Sequence, residues 1–141
     1  EDNRATVNAP KLPVIKGISY QIHQLFANLI GNSIKYKKPD EDPTITITYE
    51  LVKTKEDNIL DESHSQFHKI VFKDNGIGFE QEHAEKIFLL FNRLHGKAEY
   101  PGTGVGLAIC KKIISNHNGY IKAIGAPNEG ASIIIYISVV L

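Results

Sequence analysis

Asn28 to Tyr36, Asn-Leu-Ile-Gly-Asn-Ser-Ile-Lys-Tyr, carries an odd set of side chains for a packed helix. Residues four apart share a helix face, so Asn28 and Asn32 point the same way, with Lys35 and Tyr36 one turn further on. A neutral carboxamide oxygen can ligate a hard cation such as magnesium, and a lysine can offset phosphate charge. Two glycine clusters follow. In Asp74-Asn75-Gly76-Ile77-Gly78-Phe79 the glycines permit a tight turn and close approach of a ligand. The carboxylate before them can accept a hydrogen bond from a flat amine such as an adenine amino group. In Gly102-Thr103-Gly104-Val105-Gly106-Leu107 alternate glycines open into a helix, exposing backbone N–H groups beside the positive end of its dipole. That arrangement is a phosphate cradle. It is neither a Walker loop nor the dinucleotide fingerprint. Each stretch alone also has a plainer reading: a solvated helix face, an ordinary Asp-Asn-Gly turn, and a flexible hinge.

The elements that must position these groups follow from periodicity. Pro10, Pro13 and Gly17 break residues 1–17 into one or two short edge strands. The pattern predicts a helix from Ser19, as N-cap, to Lys37, stopped by Pro39, with Leu25, Phe26, Leu29 and Ile30 facing the core. Thr44 to Val52 alternates β-branched residues and reads as a strand; Phe67 to Lys73 returns after the polar stretch 53–65. A short helix is expected over Glu80 to Leu90, with Ile87, Phe88 and Phe91 apolar, then a loop from Asn92 to Thr103. A second long helix is predicted over Val105 to His117, with Leu107, Ile109, Cys110, Ile113 and Ile114 inward and Gly119 as its stop. Tyr120 to Ile124 and Ala131 to Leu141 close the pattern as strands around a turn at Pro127 to Gly130. The expected architecture is α+β, a two-layer sandwich with three helices on a mixed, mostly antiparallel sheet of about five strands.

The composition excludes several classes. At 141 residues the chain suits one domain, residues 1–141, with 1–11 as a linker or edge segment. Sixteen basic and sixteen acidic residues cancel, so no electrostatic capture of nucleic acid or membrane is expected. Cys110 lies in an apolar run and reads as a small buried side chain rather than a nucleophile. There is no signal peptide and no apolar run long enough to span a bilayer, so a cytoplasmic domain is expected. The polar start without Met looks like a piece of something larger, whose parent could be membrane-anchored.

The order Asn-x-x-x-Asn-x-x-Lys-Tyr, Asp-x-Gly-x-Gly-Phe, Phe-x-x-Phe-x-Arg, Gly-x-Gly-x-Gly-Leu resembles the ATP-binding catalytic domain of sensor histidine kinases, in the GHKL superfamily. The likeness covers roughly residues 12 to 140. Asn28 to Tyr36 stand as the N box, Asp74 to Gly78 as the first glycine box, Phe88 to Phe91 as the F box and Gly102 to Gly106 as the second glycine box. Leu12-Pro13, Gln24-Leu25-Phe26 and Phe91 to His95 look especially like phytochrome-related and PAS-linked kinases. The resemblance implies a Bergerat-type fold binding Mg-ATP. Asp74 would read the adenine amino group, with Gly76, Gly78 and Phe79 around it. Asn32 would hold magnesium with Asn28 nearby, and Lys35 and Tyr36 would face phosphates and ribose. Residues 92–103 would form a lid, and Gly102, Thr103, Gly104, Val105, Gly106 and Leu107 would cradle the phosphates. Arg93 would stabilise the transferred phosphoryl. Ser132 stands where threonine is usual but keeps a hydroxyl.

One position discriminates within the superfamily. The ATP-hydrolysing members and the anti-sigma serine kinases resemble one another in placing Glu where this chain has Asn28. A carboxylate can act as general base; a carboxamide cannot, and an imidazole acceptor needs none. The implied activity is transfer of the γ-phosphoryl to a histidine on a dimerisation domain upstream, in a homodimer, with a response regulator receiving it next. The alternatives are a degenerate nucleotide-binding module and a GHKL ATPase or serine kinase. His23, His64, His68, His83, His95 and His117 show no metal-binding spacing. Ser63-His64-Ser65 lacks the Glu/Asp-x-Arg-x-Pro context of an acceptor, so it reads as loop.

Overall fold

The computed structural model describes residues 5–12, 15, 17–53, 66–88 and 106–139. Thr6–Asn8 forms β1, Thr44–Lys53 β2, Gln66–Asp74 β3, Tyr120–Gly125 β4 and Ala131–Ser138 β5, in the sheet order β1-β2-β3-β5-β4. β1 runs parallel to β2; the other pairings are antiparallel. The mixed, mostly antiparallel five-stranded sheet is as expected. Two α-helices, α1 (Ser19–Lys35) and α2 (Gly106–Asn116), lie on one face.

Strand alternation sorts the side chains. Ile45, Ile47, Ile70, Phe72, Ala123, Ile133, Ile135 and Ile137 face the helices and meet Leu25, Leu29, Cys110, Ile113 and Ile114 in one core. The Phe26 ring packs edge-on to Phe72 with centroids 5.1 Å apart, a contact worth about 0.5–1.5 kcal/mol beyond burial. On the opposite face Val52, Phe67, Ile134 and Tyr136 form a smaller cluster. β5 is therefore buried on both faces, which explains its unbroken run of isoleucines.

Among the described residues the third expected helix, over Glu80 to Leu90, is not formed. From Glu80 onward the described chain makes two 3₁₀ turns, Gln81–His83 and Lys86–Phe88; Leu89 and Leu90 lie outside the described residues. Gln81, Ala84 and Ile87 recur every three residues, the 3₁₀ period, and Ala84, Ile87 and Phe88 pack on the core. The Gln81 carboxamide is also held by strand backbone, which fixes the first turn.

Ser19 is not the cap of α1. Ile18 occupies that position without a side-chain cap, and its N–H donates to Nε2 of His117 at 3.0 Å. His117 is buried, and its Nδ1 lies 2.7 Å from the Ile113 carbonyl. The ring is thus the Nδ1–H tautomer, joining the start of α1 to the end of α2. A Cβ on Gly17 would come within 2.8 Å of that ring. At the end of α2 the left-handed residue is Asn118, at φ 56°, not Gly119. Gly119 is needed for another reason: a Cβ there would run into the Tyr136 carbonyl.

Candidate functional site

α1 buries Leu25, Leu29 and Ser33 on its inner face, which leaves Asn28, Asn32 and Lys35 half-buried along one flank. The Lys35 ammonium sits over the Tyr36 ring, 5.3 Å from its centroid. Tyr36 ends the helix: its N–H donates to the Asn32 carbonyl at 3.1 Å, and the Lys37 N–H to the Ile34 carbonyl at 3.3 Å. The Tyr36 carbonyl accepts the Ile77 N–H at 3.0 Å. A Cβ on Gly76 would lie 2.6 Å from that carbonyl, so this junction admits only glycine. The end of the Asn-rich helix and the first glycine box are in direct contact, although 40 residues separate them in sequence order.

Asp74 is the last residue of β3, between Ile45 of β2 and Ala131 of β5. Its Oδ1 accepts two backbone N–H groups, from Gly76 at 2.9 Å and Ala131 at 3.1 Å. Those bonds orient the half-buried carboxylate and leave Oδ2 outside them. The turn between β4 and β5 lies against the glycine box: the Asn128 N–H donates to the Ile77 carbonyl at 2.7 Å. Two glycines make this approach possible. Gly78, at φ +69°, would push a Cβ into the Ala126 carbonyl, and Gly130, at φ +86°, into the Asp74 carbonyl. Ser132, half-buried, stands opposite Lys73 and Ile124 one step beyond Ala131.

Phe79 is placed differently from its expected role beside the ligand. It is buried in the core, with its ring against Gly125, where a Cβ would lie 2.7 Å from it. It acts on the site by seating the glycine box on β4. Gln81 supports the same contact, accepting the Gly125 N–H at 2.9 Å and donating to the Ala123 carbonyl at 3.2 Å. Neither role is readable from sequence, because both partners are strand backbone some 40 positions away.

α2 contributes Leu107, half-buried, and Gly106, exposed, at its first turn. Gly102, Thr103, Gly104, Val105, Arg93 and the rest of the expected lid lie outside the described residues, as does Ser63-His64-Ser65. Cys110 is buried as expected. Burial pushes its thiol up to about 12, opposed by a hydrogen bond with the Asn28 side chain; its Sγ also lies 4.0 Å from the Leu25 carbonyl. α2 thus packs against α1 at the turn that carries Leu25. Among the described residues no cluster of three His, Cys, Asp or Glu could hold a metal, and no helix is long and apolar enough to cross a membrane.

Nearly the whole chain, residues 17–140, matches the family of histidine kinase-, DNA gyrase B- and HSP90-like ATPases, and the chain belongs to that family. Among its members this chain sides with histidine protein kinases. It is 41% identical over 128 residues to cyanobacterial phytochrome A of a Nostoc species, covering 91% of this chain and 15% of that protein. It is 37% identical over 132 residues to the phytochrome-like protein Cph1 of a Synechocystis species, covering 94% of this chain and 16% of that one. The solved, nucleotide-free catalytic domain of histidine kinase ThkA superimposes with a TM-score of 0.68 at 26% identity, over 96% of this chain and 79% of that domain. The chain therefore spans a small part of the curated relatives it matches, and corresponds to their ATP-binding catalytic domain.

Proposed function

We propose that residues 1–141 are one catalytic module that binds Mg-ATP and transfers its γ-phosphoryl to a histidine on a dimerisation domain preceding it. A response regulator then takes the group, and the module works in the cytoplasm as part of a homodimer. The observation that carries this reading is the junction of α1 with the first glycine box. Tyr36 and Ile77 hold the two together, and Asp74 keeps one oxygen outside its internal bonds. A base reader and a phosphate-facing helix end are thereby fixed side by side.

The roles follow from the groups present. Asp74 Oδ2 accepts from the adenine amino group. Asn32 offers a neutral oxygen to magnesium, a cation that commonly keeps only one or two protein ligands and shares the rest with phosphates and water. Magnesium supplies charge neutralisation on the phosphates. Lys35 and Tyr36 flank the phosphates and ribose, Ser132 lies at the strand start beside Asp74, and Gly102 to Leu107 with Arg93 complete the phosphate side. The acceptor imidazole attacks the γ-phosphorus through a neutral nitrogen, the bond to the β-phosphate oxygen breaks and ADP leaves. Asn28 orients without taking a proton, since a carboxamide is no base.

Calorimetry with Mg and a non-hydrolysable ATP analogue tests the binding half. Saturable one-to-one binding that weakens in EDTA is expected. An absence of binding by folded protein would sink the reading, and rapid ATP hydrolysis by the module alone would move it to the ATPase class.

A further inference from the structure

The first glycine box is gripped from three sides, and one grip belongs to a side chain with no part in the chemistry above. Asp74 reaches β5, and Ile77 reaches the end of α1. Asn75, between them, turns its carboxamide the other way, onto the connection from α1 to β2. Its Oδ1 accepts the Thr44 N–H at 2.8 Å. Its Nδ2 lies 3.2 Å from the Asp42 carbonyl and 3.3 Å from Glu41 Oε1, and donates to both. One carboxamide therefore satisfies a strand's first N–H and two acceptors of the preceding turn, a use of both its ends that neither Asp nor Ser could reproduce.

These bonds close a ring. The connection leaves α1 at Tyr36, whose carbonyl holds Ile77, and it reaches β2 at Thr44, which Asn75 holds. Tyr36, the connection, Thr44, Asn75 and Ile77 form a loop with Asp74 on its rim. Cutting the Asn75 bonds opens that loop on the side where the carboxylate sits, while the bond from Ile77 to Tyr36 survives. Of the four hydrogen bonds that tie the glycine box to Tyr36 and the connection, only that of Ile77 with Tyr36 then remains.

We propose that Asn75 is a positioning residue for nucleotide recognition: it sets the placement of the Asp74 carboxylate relative to the Asn32–Tyr36 end of α1, and touches neither base nor phosphate. This inference rests on the Mg-ATP reading above. A positioning role predicts a loss confined to ligands that span both ends of the site. Adenosine lacks the phosphates and meets the helix end through its ribose only, so it loses little when the ring opens, because Asp74 keeps its bonds to Gly76 and Ala131.

The test measures dissociation constants of Mg-ADP and adenosine for the intact chain, Asn75→Ala and Asn75→Asp, each shown folded at the assay temperature by circular dichroism. Asn75→Ala is expected to weaken Mg-ADP about tenfold, the equivalent of one or two hydrogen bonds, and to change adenosine affinity less than about twofold. Asn75→Asp keeps the acceptor for Thr44 but sets a carboxylate against Glu41 and the Asp42 carbonyl, so it too weakens Mg-ADP. Adding Glu41→Gln removes one like charge and offers a donor, and is expected to recover part of that loss. An equal loss of both ligands would mean that Asn75 merely supports the fold. Unchanged Mg-ADP affinity in Asn75→Ala would likewise overturn the proposal. Asp74→Asn, run alongside, separates the two levels. If it weakens Mg-ADP while Asn75→Ala leaves it unchanged, only the positioning role fails; if neither variant weakens it, the nucleotide reading fails as well.

Discussion

Replacing Asp74 by Asn removes one charge and one acceptor and nothing else, and the structure says which acceptor. Oδ1 is engaged by the Gly76 and Ala131 N–H groups, so an Asn carboxamide must turn its oxygen to them to keep the turn intact. Its NH₂ then occupies the place of Oδ2 and, in the proposed site, meets the adenine amino group donor against donor. A charge-assisted hydrogen bond contributes about 1.5–3 kcal/mol, so ADP affinity should fall by roughly ten- to a hundredfold. The two internal bonds survive without their charge assistance, which costs about 1 kcal/mol of stability and lowers the melting temperature by about 4 °C. The protein stays folded. Guanine presents a carbonyl where adenine has its amino group, so the variant should also narrow the preference for ADP over GDP. Competition against a fluorescent nucleotide, with a thermal melt of each sample, reads all three effects. ADP affinity within twofold of wild type in a folded variant would refute the assignment of Asp74 as base reader.

Three further outcomes are expected. Asn32→Ala should leave nucleotide binding in EDTA nearly unchanged and lower the gain in affinity from added magnesium by at least about tenfold, read from paired titrations; an unaltered magnesium dependence would count against the metal role. Gly130→Ala should destabilise by at least about 2 kcal/mol in urea unfolding, because φ +86° is costly for a side chain and its Cβ meets the Asp74 carbonyl, and nucleotide binding should fall with it. Nδ1 of His68 is hydrogen-bonded with the Tyr49 hydroxyl, 2.9 Å away, and burial pushes the imidazole's pKa below the usual 6.5. The folded state therefore holds this proton less tightly than the unfolded chain. The corresponding stability is present above pH 6.5 and is lost as pH falls through 6.5 toward the lowered value. Unfolding titrations of wild type and His68→Gln at pH 7.5 and 5.5 should show a shallower acid loss in the variant.

What was legible in the sequence was whatever chemistry is local. Asn28, Asn32, Lys35 and Tyr36 fall on one helix, Asp74 immediately precedes its glycines, and strand alternation is a matter of two-residue spacing. The sheet, both long helices and the burial of Cys110 follow from such patterns. The rest depends on partners far away in the chain. His117 replaces Ser19 as the support of the first helix by reaching back 99 positions to Ile18, which no capping pattern encodes. The stretch after Phe79 has helix-forming residues, yet it makes 3₁₀ turns because Gln81 is held by β4. Phe79 looks like part of a ligand motif and is core, since Gly125 leaves room for its ring. Asn75 reads as one more turn residue until its bonds to Asp42 and Thr44 are seen. Motif residues were thus easier to find than the residues that hold them.

Phosphoryl transfer tests the central claim most directly. The chain is mixed with magnesium, ATP labelled on the γ-phosphate and a histidine-bearing dimerisation segment of the kind proposed as its acceptor, and the labelled product is then exposed to acid and to base. The expected product is label on that segment which acid releases and base does not, the signature of a phosphohistidine, with no transfer by Asp74→Asn. Label on serine, stable to acid, or release of free phosphate without any labelled protein would contradict it.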